Sequence, residues 1–330
     1  MLILAKAAMA IMLGFIVSVI LGLIIIPVLK KFNWRQKVSL LIGERHISKD
    51  GTPTIGGLIF ILSTLIVTLI LYFRGSIEFS SNLLILIVVF IAYAALGFID
   101  DYLKIKYKNN KGLLISVKLI AQGFIALVFF YIFMSNGGQP VLEISLFNLA
   151  IPMGWVFGLF ILCVLVGTTN GVNISDGLDG LAGGLTMIAF FAFGIISWGT
   201  PWVLGYQDIA IFCFVLVGSL LGFLFFNTKP AKVFMGDTGA LALGGALGTV
   251  AILTRHEMLL LVVGGVFVIE AISSISQIIA IKYFHRKIFL MAPIHHHFEK
   301  LNWEESAIVK LFWAVGFVLA MIAITYGVWI

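Results

Sequence analysis

The side chains of this sequence best suited to phosphate or metal chemistry are aspartates, lysines and a run of three histidines. Asp50, Asp100, Asp101, Asp176, Asp179 and Asp237 lie in or beside short polar segments between long apolar runs. So do Lys49, Lys104, Lys106, Lys108, Lys111, Lys118, Lys229 and Lys232, and so does His295-His296-His297. Like charges as close as Asp100 and Asp101 repel unless a cation offsets them. Carboxylates on converging loops suit Mg²⁺, which takes one or two protein oxygens and completes its shell with phosphate and water. Lysines among them would neutralise a pyrophosphate. Two plainer readings compete. Aspartate caps helices, and basic residues beside a membrane orient it and contact head groups. Capping accounts for one or two aspartates. It accounts poorly for an adjacent pair after the apolar stretch 90–99, or for the dense run Asn170-Gly-Val-Asn173-Ile-Ser-Asp176-Gly-Leu-Asp179-Gly.

Other signals narrow the chemistry. No lysine is followed by Ser or Thr, so a P-loop is absent; no Gly-x-Gly occurs, so the dinucleotide fingerprint is absent too. Gly177 and Gly180 alternate with Asp176 and Asp179, which suits close backbone approach to a ligand. Gly183 and Gly184 suit helix packing equally well. Three consecutive histidines cannot all face one metal from a regular helix, and zinc helices use i, i+4 spacing, so zinc is disfavoured. Imidazoles that contact phosphate or shuttle a proton fit better. Glu270 is the one acid deep in an apolar run, a position that is functional by default in a membrane. The competing expectation is a hydrogen bond to the turn at Ser273 or Ser274, or to another helix.

These residues must be held by membrane helices. Of the 330 residues, 61% are apolar and only 11% charged, against roughly a quarter charged in soluble domains. Mean hydropathy is +1.14. A soluble globular or a disordered chain is excluded. Apolar runs at about 7–29, 54–73, 83–99, 113–134, 150–169, 180–198, 207–226, 238–253, 258–284 and 306–329 predict ten transmembrane helices. The expected fold class is an all-α polytopic membrane protein, with residues 1–330 forming one integral-membrane domain. The first run is too long for the apolar core of a cleaved signal peptide. The ninth is long enough that it must tilt, bend or protrude. Cys163 and Cys213 both fall in apolar runs, which argues against a disulfide framework.

Charge sets the expected orientation. With the N-terminus outside, the loops 30–53, 100–112, 170–179, 227–237 and 285–305, together with Lys282, carry 16 of the 21 basic residues. That bias puts those loops in the cytoplasm and both termini outside. The net charge of +6 therefore reflects topology, and nucleic-acid binding is not expected.

Five stretches carry a family resemblance. They are Lys49-Asp-Gly-Thr-Pro-Thr54-Ile-Gly-Gly, Asp100-Asp-Tyr-Leu-Lys104, Asn173-Ile-Ser-Asp-Gly-Leu-Asp179-Gly-Leu-Ala, Asn227-Thr-Lys-Pro-Ala-Lys-Val-Phe234-Met-Gly-Asp237-Thr-Gly and Met291-Ala-Pro-Ile-His-His-His297-Phe-Glu. In content and order they resemble the phospho-N-acetylmuramoyl-pentapeptide transferases of bacterial peptidoglycan synthesis, a branch of the polyprenyl-phosphate N-acetylhexosamine-1-phosphate transferases. The triple-histidine stretch is specific to that branch.

The resemblance implies a homodimeric enzyme of the bacterial cytoplasmic membrane, with ten helices, external termini and a cytoplasmic active site. Its substrates would be UDP-N-acetylmuramoyl-pentapeptide and undecaprenyl phosphate, its cofactor Mg²⁺, and its products UMP and the first lipid-linked precursor. It implies that Asp237 is a Mg²⁺ ligand and that Asp100 and Asp101 lie near the lipid phosphate. A base role for Asp100 is implied too, although a phosphate monoester is already largely ionised at neutral pH. The uridine pocket would involve Lys49, Thr54, Asn173, Asp176, Gly177, Leu178, Asp179, Asn227 and Phe234. Lys104 and Lys118 would offset phosphate charge, and His295, His296 and His297 would contact the diphosphate or the muramoyl portion. Direct attack and a route through an aspartyl-phosphate both remain open. One alternative is a UDP-N-acetylglucosamine:polyprenyl-phosphate transferase. Another is an ion-coupled transporter, suggested by Glu270, Pro27 and the glycines of span eight, but without paired broken helices or an evident internal repeat.

Overall fold

The computed structural model describes residues 3–35, 51–107, 112–144 and 149–329; Lys49, Asp50, Lys108 and Lys111 lie outside them. Backbone amides in lipid have no water to bond, so long apolar runs become helices. In chain order these are α1 (Ile3–Lys31), α2 (Gly57–Phe73), α3 (Ser81–Lys106), α4 (Ile115–Ser135), α5 (Val156–Ser175), α6 (Leu181–Trp198), α7 (Tyr206–Asn227), α8 (Gly236–Leu253), α9 (Glu257–Val263), α10 (Gly265–Phe284), α11 (Ile294–Lys300) and α12 (Glu305–Trp329). A hairpin of β1 (Val141–Ile144) and β2 (Leu149–Pro152) stands between α4 and α5, with Val141 opposite Pro152. Among the described residues nine helices are long and apolar enough to cross a membrane, and α2, at 17 residues, is somewhat shorter. The chain is a polytopic membrane protein.

Four details depart from the sequence expectation. First, α3 does not stop at residue 99. It continues through Asp100 and Asp101 to Lys106, helped by an i, i+4 ion pair between Lys104 and Asp100 at 2.7 Å. The acidic pair therefore sits on a helix rather than in a loop. Second, α5 starts six residues late and ends six late. Residues 149–152 pair as β2, and the positive φ of Gly154 (54°) separates strand from helix. At the other end Thr169, Asn170 and Ser175 bond back to the carbonyls of Leu165, Val166 and Gly171, so polar residues continue the helix. Third, the ninth run is two helices, α9 and α10, broken at the Gly264-Gly265 pair, where helix propensity is lowest. Fourth, the histidines occupy a short helix, α11, within what reads as a loop.

Packing centres on α7 and α8, nearly all of whose residues are buried. In contrast, α1, α4, α10 and α12 leave apolar side chains such as Leu23, Ile120, Ile278 and Phe317 exposed, as lipid-facing helices do. Lipid offers no hydrophobic drive between helices, so small residues and close contact must hold them. Along α1 and α7, Ser18 Oγ donates to Ser219 O at 2.7 Å, and Ser219 Oγ reaches Ser63 Oγ of α2 at 3.0 Å. The glycines of α8 serve the same end. A Cβ on Gly244 would strike the α5 backbone at Thr169, and one on Gly239 would approach Gly57 of α2. A Cβ on Gly245 would strike Tyr93 of α3, so span eight is glycine-rich because three helices press against it.

Candidate active site

The polar chemistry gathers where α8 begins. Gly236 has a φ of +73°, and a Cβ there would press on Asp101 Oδ2 and Thr54 Oγ1, so the turn into α8 admits only glycine. The first amides of a helix lack internal partners. Here Asp101, from α3, supplies them. Its Oδ1 accepts from the Asp237 amide at 3.1 Å, and its Oδ2 accepts from the Thr238 amide at 2.9 Å and the Thr238 hydroxyl at 2.7 Å. The negative charge at a helix N-terminus adds to the stabilisation. Asp101 is fully engaged in this work and buried.

Asp237 is thereby freed from capping, and its carboxylate meets three other helices. Oδ1 accepts from Asn173 Nδ2 of α5 at 2.7 Å. Oδ2 accepts from Lys104 Nζ of α3 at 3.0 Å and from Lys118 Nζ of α4 at 2.5 Å. Lys104 Nζ also lies 2.7 Å from Asp100 Oδ2, and Lys118 Nζ lies 3.8 Å from it. Asp100 Oδ1 accepts from the Leu113 amide at 2.6 Å, which ties the chain just before α4 to the end of α3. Four helix ends thus bring together Asp100, Asp101, Asp237, Lys104, Lys118 and Asn173, with Thr54 beside them.

The donor set fits a divalent cation shared with substrate. Asp100 Oδ2 and Asp237 Oδ2 both face one positive charge, the Lys104 ammonium, so two carboxylates are turned toward one cationic position. Among the described residues no group of three or more His, Cys, Asp or Glu side chains surrounds one point. A Mg²⁺ ion with one or two carboxylates and otherwise phosphate and water ligands needs no such cage.

A second set of contacts knits the neighbouring loops. Asp179 Oδ2 accepts from the Ala231 amide at 3.1 Å, and the Asp179 amide donates to Glu305 Oε1 at 2.8 Å. Glu305 Oε2 pairs with Lys229 at 3.2 Å. Asn227 accepts from the Gly180 amide and donates to Val233 O, joining the α5–α6 turn to the α7–α8 loop. Next to this lies Phe234, half-buried, its backbone paired with Pro53 and Gly56 on either side of Thr54. Asp176 follows α5, Leu178 is buried beneath the turn, and Gly177 faces His295 so closely that a Cβ would collide with the ring.

This arrangement has relatives. Residues 83–255 match the glycosyl transferase family 4 model. The chain is 45% identical over 322 residues to a phospho-N-acetylmuramoyl-pentapeptide-transferase of Geobacillus sp. (strain WCH70), covering 98% of each chain. It is 44% identical over 320 residues to the protein of that name from Bacillus subtilis (strain 168), covering 97% of each. The chain belongs to the phospho-N-acetylmuramoyl-pentapeptide-transferase family. The span matched by the family 4 model holds Asp100, Asp101, Lys104, Lys118, the 173–179 turn, Asn227 and Asp237, and leaves Thr54 and the histidines outside it.

Within this family member the three histidines have different surroundings. His295 is enclosed and its Nδ1 lies 3.0 Å from Glu270 Oε2. His296 Nδ1 lies 2.6 Å from Glu299 Oε2. His297 is half-buried, and its Nδ1 accepts from the Leu290 amide at 3.1 Å. Two acids escaped assignment to the site from sequence. Glu305 falls at the end of the polar loop 285–305 and does not stand out there, although it ties Asp179 to Lys229. Glu270 stands out by its depth; its carboxylate meets another helix, α11, one of the expected alternatives, while Ser273 Oγ donates to its main-chain carbonyl at 2.7 Å. The candidate Lys49 lies outside the described residues.

Proposed function

We propose that this chain transfers phospho-N-acetylmuramoyl-pentapeptide from its UDP-linked donor to undecaprenyl phosphate, releasing UMP, at the cytoplasmic face of a bacterial cytoplasmic membrane. The observation that carries the reading is the convergence of Lys104, Lys118 and Asn173 on Asp237, in a chain so similar to transferases of that name. The cytoplasmic placement rests on the basic loops. The homodimer belongs to the same proposal on the strength of the resemblance alone.

In this reading a lipid-phosphate oxygen attacks the β-phosphorus of the donor. The bond from that phosphorus to the bridging oxygen breaks, and UMP leaves with the electron pair. The acceptor is already ionised, so the reaction needs positioning and charge neutralisation more than a base. Lys104 and Lys118 are held to carboxylates and are within reach of phosphates that displace those pairs. Asn173 fixes the Asp237 carboxylate, and Asp101 fixes the helix that presents it. Bound Mg²⁺, held by Asp237 with Asp100, would offset diphosphate charge. Uracil would lie on Phe234, near Thr54.

The test is UMP release on mixing purified protein with Mg²⁺, undecaprenyl phosphate and UDP-N-acetylmuramoyl-pentapeptide. Omission of Mg²⁺ should abolish it. Release only with UDP-N-acetylglucosamine would turn the assignment to the sister transferases. Accumulation of substrate in liposomes with no lipid product would turn it to a transporter.

A further inference from the structure

We propose that Glu270 is a positioning residue for the transfer reaction: it fixes the His295 imidazole against the turn at Gly177 and so shapes the donor end of the site. The inference rests on the function proposed above. Glu270 has no exposed surface and lies within α10. A carboxylate in such a place is costly unless it is hydrogen-bonded. Its Oε2 meets His295 Nδ1 at 3.0 Å, and both side chains are enclosed. A carboxylate at Nδ1 keeps the proton there and leaves Nε2 as the lone-pair nitrogen. That Nε2 has no hydrogen-bond partner and packs against Gly177, where no side chain fits.

Glu270 acts beside two other polar residues on the buried face of α10. Ser273 Oγ accepts from the Ile294 amide at 3.0 Å. Gln277 Oε1 accepts from the Ile288 and Phe289 amides, each at 3.0 Å, and its Nε2 donates to Phe289 O at 3.0 Å. Positions 270, 273 and 277 fall on one helical stripe. Ser273 and Gln277 hold backbone, and they suffice to place the segment 288–294. Glu270 alone grips a side chain, so its contribution is the orientation of the imidazole. That ring abuts the turn which continues into Leu178 and Asp179.

Two measurements test this. The first is ¹⁵N NMR of histidine-labelled protein, with the His295 signal assigned by its loss in His295→Gln. The expected state is the Nδ1-protonated tautomer, lost in Glu270→Ala and kept in Glu270→Gln, whose amide oxygen still accepts from Nδ1. The second is transfer kinetics with each substrate varied in turn. Glu270→Ala should raise the donor KM about tenfold or more while leaving the lipid KM within about twofold. Glu270→Gln should stay within about threefold of wild type for both. Should Glu270→Ala not fold, Gly177→Ala displaces the ring from the opposite side and should raise the donor KM alone. An unchanged tautomer in Glu270→Ala overturns the proposal. So does an equal rise in both KM values, a Gln variant as impaired as Ala, or an unchanged donor KM in Gly177→Ala. Lack of UMP release by wild type would defeat the functional reading instead, and the tautomer result would stand apart from it.

Discussion

Asp101 and Thr238, 137 positions apart, are joined by two hydrogen bonds to one oxygen: Oδ2 of the aspartate accepts both the amide and the hydroxyl of the threonine. A residue near the end of α3 thus closes the N-terminus of α8, and the task of capping passes away from Asp237, the helix's own first-turn acid. The two aspartates, each a plausible cap or metal ligand by type, have divided the work. One is spent on structure, and the other is turned toward the lysines.

That division predicts different behaviour for the same substitution. Asp101→Asn would turn an amide NH₂ against the Asp237 or Thr238 backbone amide, which can only donate. A buried donor without an acceptor costs about 1–3 kcal/mol. The expected result is a fall in Tm of several degrees together with lost activity. A variant as thermostable as wild type would remove Asp101 from the capping role.

Asp237→Asn should lose activity without the loss of stability. Its backbone amide still donates to Asp101, and both lysines keep Asp100 as a partner, so folding in detergent should be kept. The charge opposite Lys104 and Lys118 is lost, and with it the carboxylate proposed to hold Mg²⁺. Charge stabilisation by such an ion is worth several kcal/mol, so UMP release should drop at least about 10³-fold. Activity above about a tenth of wild type at saturating Mg²⁺ would reject the metal assignment.

Phe234 offers a half-buried ring on a backbone clamped by Pro53 and Gly56. Base–aromatic stacking contributes about 1–3 kcal/mol. Phe234→Ala should therefore raise the donor KM roughly 5- to 100-fold and leave the lipid KM nearly unchanged. A folded variant with an unaltered donor KM would put uracil elsewhere.

Orientation is open to direct labelling. After replacement of Cys163, which is exposed, a cysteine near Asn109 should react only from the cytoplasmic side and one near Gly138 only from outside. The reversed pattern would turn the aspartates away from the nucleotide and end the site model.

The helical, membrane-embedded character of this chain was legible from its amino acids alone. Runs of that length and apolarity have no other way to satisfy their backbones in lipid. The five polar stretches were legible as well, because acids, lysines and glycines so placed stand out against apolar surroundings. Local pattern says nothing, however, about which helix end meets which. Only the tertiary structure decided that Asp101 caps a helix 136 positions away while Asp237 faces Lys104, Lys118 and Asn173. Only it decided that the acidic pair is helical, that the ninth run breaks at Gly264, and that His295 is the helix partner the Glu270 carboxylate meets. The reason is the same in each case. Helix formation is dictated by nearest neighbours and solvent, whereas the partner of a buried charge is whichever group the packing of distant helices brings within reach.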